Sequence, residues 1–278
     1  MIGSGIFIVT ADMSRTLGAP GWLLLTWIIA GVMTIFAALS YGELAAMMPR
    51  AGGQYVYLKE AYNRLFGFLY GWTLFLVIQT GTIAAVAMAF AKFLGMMIPS
   101  ISENILLVSL GNWGISIAQI IAILSILFLT WLNSRGIKLA KEIQNVFTTS
   151  KVVILLAFIF VGLVFARNQK AIDLNMSVFW DGFGGMDPEN PVHLNGLALI
   201  AAMGTAMVGA LFSADAWNNI TFTAGEVIHP RKNIPLSLFI GTFTVIVLYV
   251  LTNWVYLQVL PLHLSFFVCS KGDYPMNI

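Results

Sequence analysis

Residues 196–230 read GLALIAAMGTAMVGALFSADAWNNITFTAGEVIHP. The stretch is apolar as far as Phe212 and long enough to cross a bilayer, which takes about 20 residues of helix. It then turns polar in mid-span, at Ser213, Asp215, Asn218 and Asn219. An ionisable group at that depth faces protein or a water-filled cavity rather than lipid. Asp215 either lines such a cavity or caps a helix that restarts after a break. Both readings require the helix to be interrupted. The chain also opens on half a span. MIGSGIFIVT (1–10) is apolar, but it carries Gly3, Ser4 and Gly5 together and is too short to cross. Two interrupted segments in one apolar chain decide the fold.

The rest of the chain is consistent with membrane residence. Hydrophobic residues make up 59% and charged residues 9%. A soluble domain carries about 25% charged residues. Spanning runs fall at about 21–48, 65–98, 113–133, 146–166, 195–228 and 234–260, which with the opening half-segment makes seven. They are continuous and lack the short alternation of a barrel strand. Helices that satisfy their own backbone in lipid follow. Pro49 with Gly52 and Gly53 stops segment two, and Pro230 and Pro235 bracket the turn into segment seven. Gly67 and Gly71 form a GxxxG in segment three, a pattern for close helix packing.

Charge sets the orientation. Arg50, Lys59 and Arg64, then Arg135, Lys138 and Lys141, then Arg231 and Lys232 fall in loops on one side. The other side holds Arg15, Lys92, Arg167, Lys170 and Lys271, with Asp173, Asp181, Asp187 and Glu189 in its longest loop. The positive-inside rule places the first set in the cytoplasm. The loop at about 167–194 then faces outward, and a multi-pass plasma (inner) membrane protein is expected. Cys269 is the sole cysteine, which excludes a disulfide framework. The first residues lack the basic region of a signal peptide.

Segments one and six are separated by four unbroken ones. Broken helices at corresponding positions of two halves point to a transporter site. The spacing implies two inverted five-helix repeats, with segment one matching six and two matching seven. A helix restarting at Gly3–Gly5 offers free N–H groups and the positive end of its dipole, suited to a carboxylate. A helix ending near Phe212–Ala214 offers free carbonyls, suited to an ammonium. Together they complement the two charged groups of an amino acid, and glycine lets a ligand approach the backbone. Helix packing or a kink is the plainer account of Gly-Ser-Gly.

Four stretches then carry a family resemblance: IGSGIF (2–7), YGELAAMMPRAGGQYVYLKEAY (41–62), NVFTTSKVVILLAFIFVG (145–162) and FSADAWNNITFTAGEVIHPRKNIPLSL (212–238). In order and at fitting spacings, they resemble the amino acid–polyamine–organocation superfamily, closest to its L-type amino acid transporter branch, from about residue 1 to 261. The resemblance implies an all-α integral membrane protein with the LeuT-like 5+5 inverted-repeat bundle and discontinuous segments 1 and 6. It implies alternating-access transport of neutral L-amino acids, by sodium-independent exchange or uniport. A proton-coupled amino acid or polyamine permease is the alternative. Carried over by position, the backbone of Ile2, Gly3, Ser4, Gly5 and Ile6 would hold the α-carboxylate. The backbone around Phe212, Ser213 and Ala214 would hold the α-amine, beside Asp215. Phe212 would be an aromatic gate and Asn218 would line the site. Lys151 would stand in segment five where sodium-dependent relatives hold an ion, with a snorkelling lysine as the plainer account.

The resemblance has departures. The family places a tyrosine and a glycine where this chain has Ala214 and Ala216. Animal L-type light chains carry a cysteine between segments three and four, where residues 96–112 have none, so no disulfide-linked heavy chain is expected. Residues 262–278 diverge, and members have about twelve segments. The chain is therefore expected to be a fragment, a transmembrane permease domain at 1–261 with a divergent tail, and Met1 an internal residue or a misassigned start. No cofactor, metal or nucleic-acid partner is expected. A membrane enzyme is disfavoured: His193, His229 and His263 lie in loops or the tail, with no HExxH. A channel would need a repeated filter or a ring of charges.

Overall fold

Apolar side chains pay nothing to face lipid, but every peptide group there must be bonded within its own segment. The computed structural model follows that rule. It describes residues 2–3, 5–98, 100–101, 105–110, 113–181, 183–184 and 192–262. Met1, Ser4 and the divergent tail from residue 263 lie outside the described residues.

In chain order the elements are α1 (Gly5–Leu17), α2 (Pro20–Met47), α3 (Gln54–Ala61), α4 (Arg64–Thr73), a π-helical stretch (Leu74–Gln79) and α5 (Thr80–Met97). A β-hairpin follows, β1 (Leu106–Leu110) with β2 (Trp113–Ser116), then α6 (Ile117–Ser134), α7 (Ile137–Val164) and α8 (Gln169–Ser177). The two-residue strands β3 (Phe183–Gly184) and β4 (Val192–His193) precede α9 (Gly196–Ser213), a 3-10 helix (Trp217–Glu226) and α10 (Pro230–Val259). Among the described residues, six stretches are long and apolar enough to span: Pro20–Met47, Arg64–Met97, Ile117–Ser134, Lys141–Val164, Gly196–Glu226 and Pro230–Val259. They match the six full segments read from sequence, and α1 is the half-segment. Phe36, Phe75, Phe90 and Phe160 each expose more than half their surface, as lipid-facing side chains do.

The chain divides into two compact units, residues 1–53 with 150–278, and residues 54–149. The first unit holds segments one, two, six and seven with most of segment five. Here α10 lies along α2 and α1 lies against α9. These are the pairs that an inverted repeat relates. Glycines set the α2–α10 approach: a Cβ on Gly31 would meet Ile246, and one on Gly42 would lie 3.1 Å from Pro235 Cα. Eleven residues along α2 correspond to eleven back along α10, so the helices run antiparallel. Small residues permit this closeness, and dispersion then holds the pair in lipid.

The entries into α2 and α10 share a local backbone although the residues differ. Gly18 follows α1 with φ 61, and Pro20 opens α2. His229 follows the 3-10 helix with φ 50, and Pro230 opens α10. Each half thus runs from a short half-helix through a left-handed residue into a proline-started helix of 28 or 30 residues. Proline suits that first turn because its missing N–H has no acceptor there.

The connection between α7 and α9 is fastened to this unit. Asn175, fully buried on α8, donates to the carbonyls of Leu257 (2.7 Å) and Leu260 (2.9 Å) and accepts from the Leu262 N–H (3.0 Å). One side chain thereby caps the end of α10, where carbonyls lack helical partners. Nearby, the Trp22 indole N–H donates to the Trp180 carbonyl at 2.7 Å.

In the second unit, the GxxxG glycines serve α3. A Cβ on Gly67 would lie 3.0 Å from Lys59 Cβ, and one on Gly71 would lie 3.2 Å from the Tyr55 ring. Ala87 and Ala91 of α5 pack with Ala118 and Ala122 of α6. Ser116 and Gln119 form a capping box that starts α6.

Candidate functional site

Two helix ends of opposite polarity meet in the first unit. α1 begins at Gly5, so the N–H groups of its first turn have no acceptor inside the helix. α9 ends at Ser213, and the chain leaves through Ala214 to Ala216. Ala216 has φ 68 and ψ 9, a left-handed geometry that cannot continue the helix. The chain restarts as a 3-10 helix from Trp217. Ala216 stands at its N-cap with no side-chain cap bond, so Asp215 does not cap the restart.

α1 and α9 run antiparallel and in contact. A Cβ on Gly5 would lie 2.8 Å from Ser213 Cβ and 3.0 Å from its Cα. Four residues on, a Cβ on Gly209 would meet Val9 Cγ1 at 2.5 Å. The positive pole of α1 therefore lies beside the negative pole of α9. Glycine at position 5 is required by this closeness, not by turn geometry.

Tyr249 of α10 joins the two ends. Its hydroxyl donates to the Ser213 carbonyl at 3.1 Å and accepts from the Gly3 backbone. Its ring is 1% exposed and stands edge-on to Trp27, with centroids 5.6 Å apart and planes at 81°. The carbonyls at the end of α9 are thus partly engaged. Phe212 accepts from the Asp215 N–H at 3.2 Å, and Ser213 accepts from Tyr249. Each carbonyl keeps a second lone pair that can take an ammonium hydrogen.

The sequence-derived residues divide by position. Gly5 and Ser213 come together at the junction and the Gly3 backbone lies beside Tyr249, with Ile6 buried beneath and Ile2 packed against the same core. Ser4 lies outside the described residues. Ala214 is buried, while Phe212 (55% exposed) and Asp215 lie open. The Asp215 side chain makes no hydrogen bond among the described residues. Asn218 is half-buried, and its carbonyl accepts from Thr221 at 2.7 Å. Lys151 is exposed on α7, one and two turns before the buried Leu155 and Ile159. Those leucine and isoleucine side chains share the core of Ile6 and Tyr249. Lys151 extends the same helix face, by the spacing of successive turns.

A profile of the family described as amino acid permease matches residues 1–265. The chain belongs to the amino acid permease family. It is similar to the b(0,+)-type amino acid transporter 1 of Mus musculus, 28% identical over 266 residues, which cover 94% of this chain and 48% of that protein. It is 27% identical over 256 residues to the Asc-type amino acid transporter 1 of Mus musculus, covering 92% and 44%. The large neutral amino acids transporter small subunit 2 of Homo sapiens is 29% identical over 257 residues, again covering 92% and 44%. The chain spans about half the length of the curated relatives it matches. The permease family accounts for the all-α membrane architecture, and the LeuT-like arrangement is the one expected of it.

Sequence reasoning missed Tyr249. Its signal was present: Tyr249, Thr252 and Asn253 are polar residues about one turn apart inside an apolar segment of this permease. That pattern marks a helix face turned to protein.

Proposed function

We propose that this chain carries half or more of the binding site of a secondary amino acid transporter, moving neutral L-amino acids by alternating access as a sodium-independent exchanger or uniporter. The observation that carries the reading is the junction of Gly3–Gly5 with Ser213, bridged by Tyr249. Free N–H groups at one pole and carbonyls at the other match an α-carboxylate and an α-ammonium set two bonds apart. The names of the relatives support the substrate class, since each is an amino acid transporter. In this reading Ile2, Gly3, Ser4, Gly5 and Ile6 hold the carboxylate. Phe212, Ser213 and Ala214 hold the amine, with Phe212 as gate and Asp215 and Asn218 at the margin. Lys151 is the coupling residue, its ammonium filling the place of a metal cation. The plasma membrane is the proposed location, without a disulfide-linked heavy chain.

Binding of radiolabelled L-leucine to the reconstituted chain tests the reading, with competition by the other amino acids, by leucine methyl ester and by N-acetyl-leucine. Free amino acids should compete, and the two blocked derivatives should lose at least tenfold. Equal competition by the blocked derivatives, or no amino acid binding at all, overturns the proposal. The runner-up, proton-coupled amino acid or polyamine transport, rests on Asp215, the mid-span acid. Displacement of leucine by spermidine, or binding that follows a pH gradient, would favour it.

A further inference from the structure

α1 is a half-span of 13 residues, fixed near its start by the Gly3–Tyr249 contact. Packing on α9, at Gly5–Ser213 and Val9–Gly209, is one attachment and limits its tilt on that side. A second lies further along. The Thr10 hydroxyl donates to Asn253 Oδ1 at 2.9 Å, across 243 residues of sequence. Thr10 is 7% exposed and Asn253 fully buried. Asparagine in an apolar segment is costly unless its amide is bonded. The amide is oriented: Nδ2 donates to the Tyr249 carbonyl of its own helix at 2.8 Å, which turns Oδ1 toward α1. Thr10 does not depend on this partner, because the Ile6 carbonyl lies 3.2 Å away within α1. The shorter approach is the one between helices.

The leverage of this contact falls on the junction. Thr10 stands five residues beyond Gly5, about 7.5 Å along the axis at 1.5 Å per residue. A tilt of about 5° around Thr10 moves the start of α1 by about 0.7 Å at that lever arm. That displacement is as large as the slack at the Gly5–Ser213 contact, where a single Cβ does not fit. Tyr249 and Asn253 lie one turn apart on α10. The same helix therefore holds α1 at the junction and two turns above Gly3.

We propose that Thr10 and Asn253 are positioning residues. Their hydrogen bond fixes the tilt of α1 against α10 and so sets the separation of the Gly5 amides from the Ser213 carbonyl. The proposal rests on the reading of that junction as an amino acid site.

The test uses the reconstituted 278-residue chain as wild type, Thr10→Val, Thr10→Ser, Asn253→Leu and the Thr10→Val/Asn253→Leu pair. Two quantities are read: hydrogen exchange of α1 amides relative to α2, and the affinity for L-leucine. Valine keeps threonine's shape without the donor, and serine keeps the donor. Thr10→Val should raise α1 exchange about 3- to 20-fold, the range of buried interhelical hydrogen bonds in membranes. It should also weaken leucine binding by a similar factor. Thr10→Ser should restore both, and the paired apolar variant, which also lacks the bond, should stay near Thr10→Val in both readings. Unchanged α1 exchange in Thr10→Val and Asn253→Leu overturns the tether, whatever leucine does. Faster exchange with unchanged leucine affinity overturns the positioning role and leaves a structural bond. Wild-type protein that binds no amino acid, with exchange responding as expected, removes the functional reading and the positioning claim with it.

Discussion

Replacing Gly5 with alanine adds one methyl group where α1 meets α9. The new Cβ would lie 2.8 Å from Ser213 Cβ and 3.0 Å from Ser213 Cα. Carbon atoms rest at about 3.5–4.0 Å, so the helices must open by roughly 0.7–1 Å. The Ser213 hydroxyl is also too near, but it can rotate away. The Cβ and the backbone cannot. Overpacking of this kind costs about 1–3 kcal/mol. Alanine's better helix propensity returns at most about 1 kcal/mol, and less in a first turn. The expected net loss is about 1–2 kcal/mol of stability. The displaced amides should weaken L-leucine binding about tenfold or more, since 1.4 kcal/mol is a factor of ten. Chemical denaturation in detergent micelles reads the first quantity and equilibrium binding the second. Second-site variants sharpen the test. Ser213→Gly removes the clashing Cβ and should recover much of the loss, whereas Ser213→Ala retains it and should recover little. A Gly5→Ala protein as stable as wild type, with unchanged leucine affinity, would refute the reasoning.

Other perturbations follow from the same coordinates. Ala216 sits at φ 68, so Ala216→Val should destabilise by about 1–3 kcal/mol. Ala216→Gly should be neutral or stabilising by a few tenths of a kcal/mol; thermal unfolding would distinguish them. Asn175→Ala leaves two carbonyls and one N–H without their shared partner. It should cost about 1–3 kcal/mol and speed proteolytic cleavage around residues 167–181. Lys151→Ala should insert into membranes at wild-type levels while losing transport, measured as uptake into proteoliposomes of a version that transports. Wild-type uptake by that variant would end the coupling assignment.

The spanning segments were legible because hydrophobic length is a local property. Residues 195–228 and 234–260 were read from composition alone, and the helices fall at Gly196–Glu226, with its break, and Pro230–Val259. The break in segment six was legible for a related reason. Polar residues in mid-span have no lipid-compatible partner, so the chain must turn them toward protein. The inverted repeat was less accessible. Its local counterpart is backbone geometry, left-handed Gly18 and His229 before Pro20 and Pro230, which different residues satisfy. The connection between α7 and α9 was opaque. Nothing local in residues 167–181 foretells that Asn175 caps α10, because its three partners lie more than eighty residues away. The hairpin of β1 and β2 and the π-helical stretch were likewise unread. Thr80 marks the latter, its hydroxyl turned back to the Leu76 carbonyl at 2.5 Å.

By itself, the sequence determined that this chain is a membrane one, where its spanning segments fall, where segment six breaks and which family it resembles. Those properties follow from residue type, spacing and motif order along one strand of chain. Only the tertiary structure decided what these segments pack against. It laid the start of α1 against the end of α9, with glycines at Gly5 and Gly209 where a methyl group does not fit. It also brought Tyr249 and Asn253 from the far end of the chain to hold α1 in place. Helix poles and hydrogen bonds act over a few ångströms, so their partners exist only once packing has brought distant segments together.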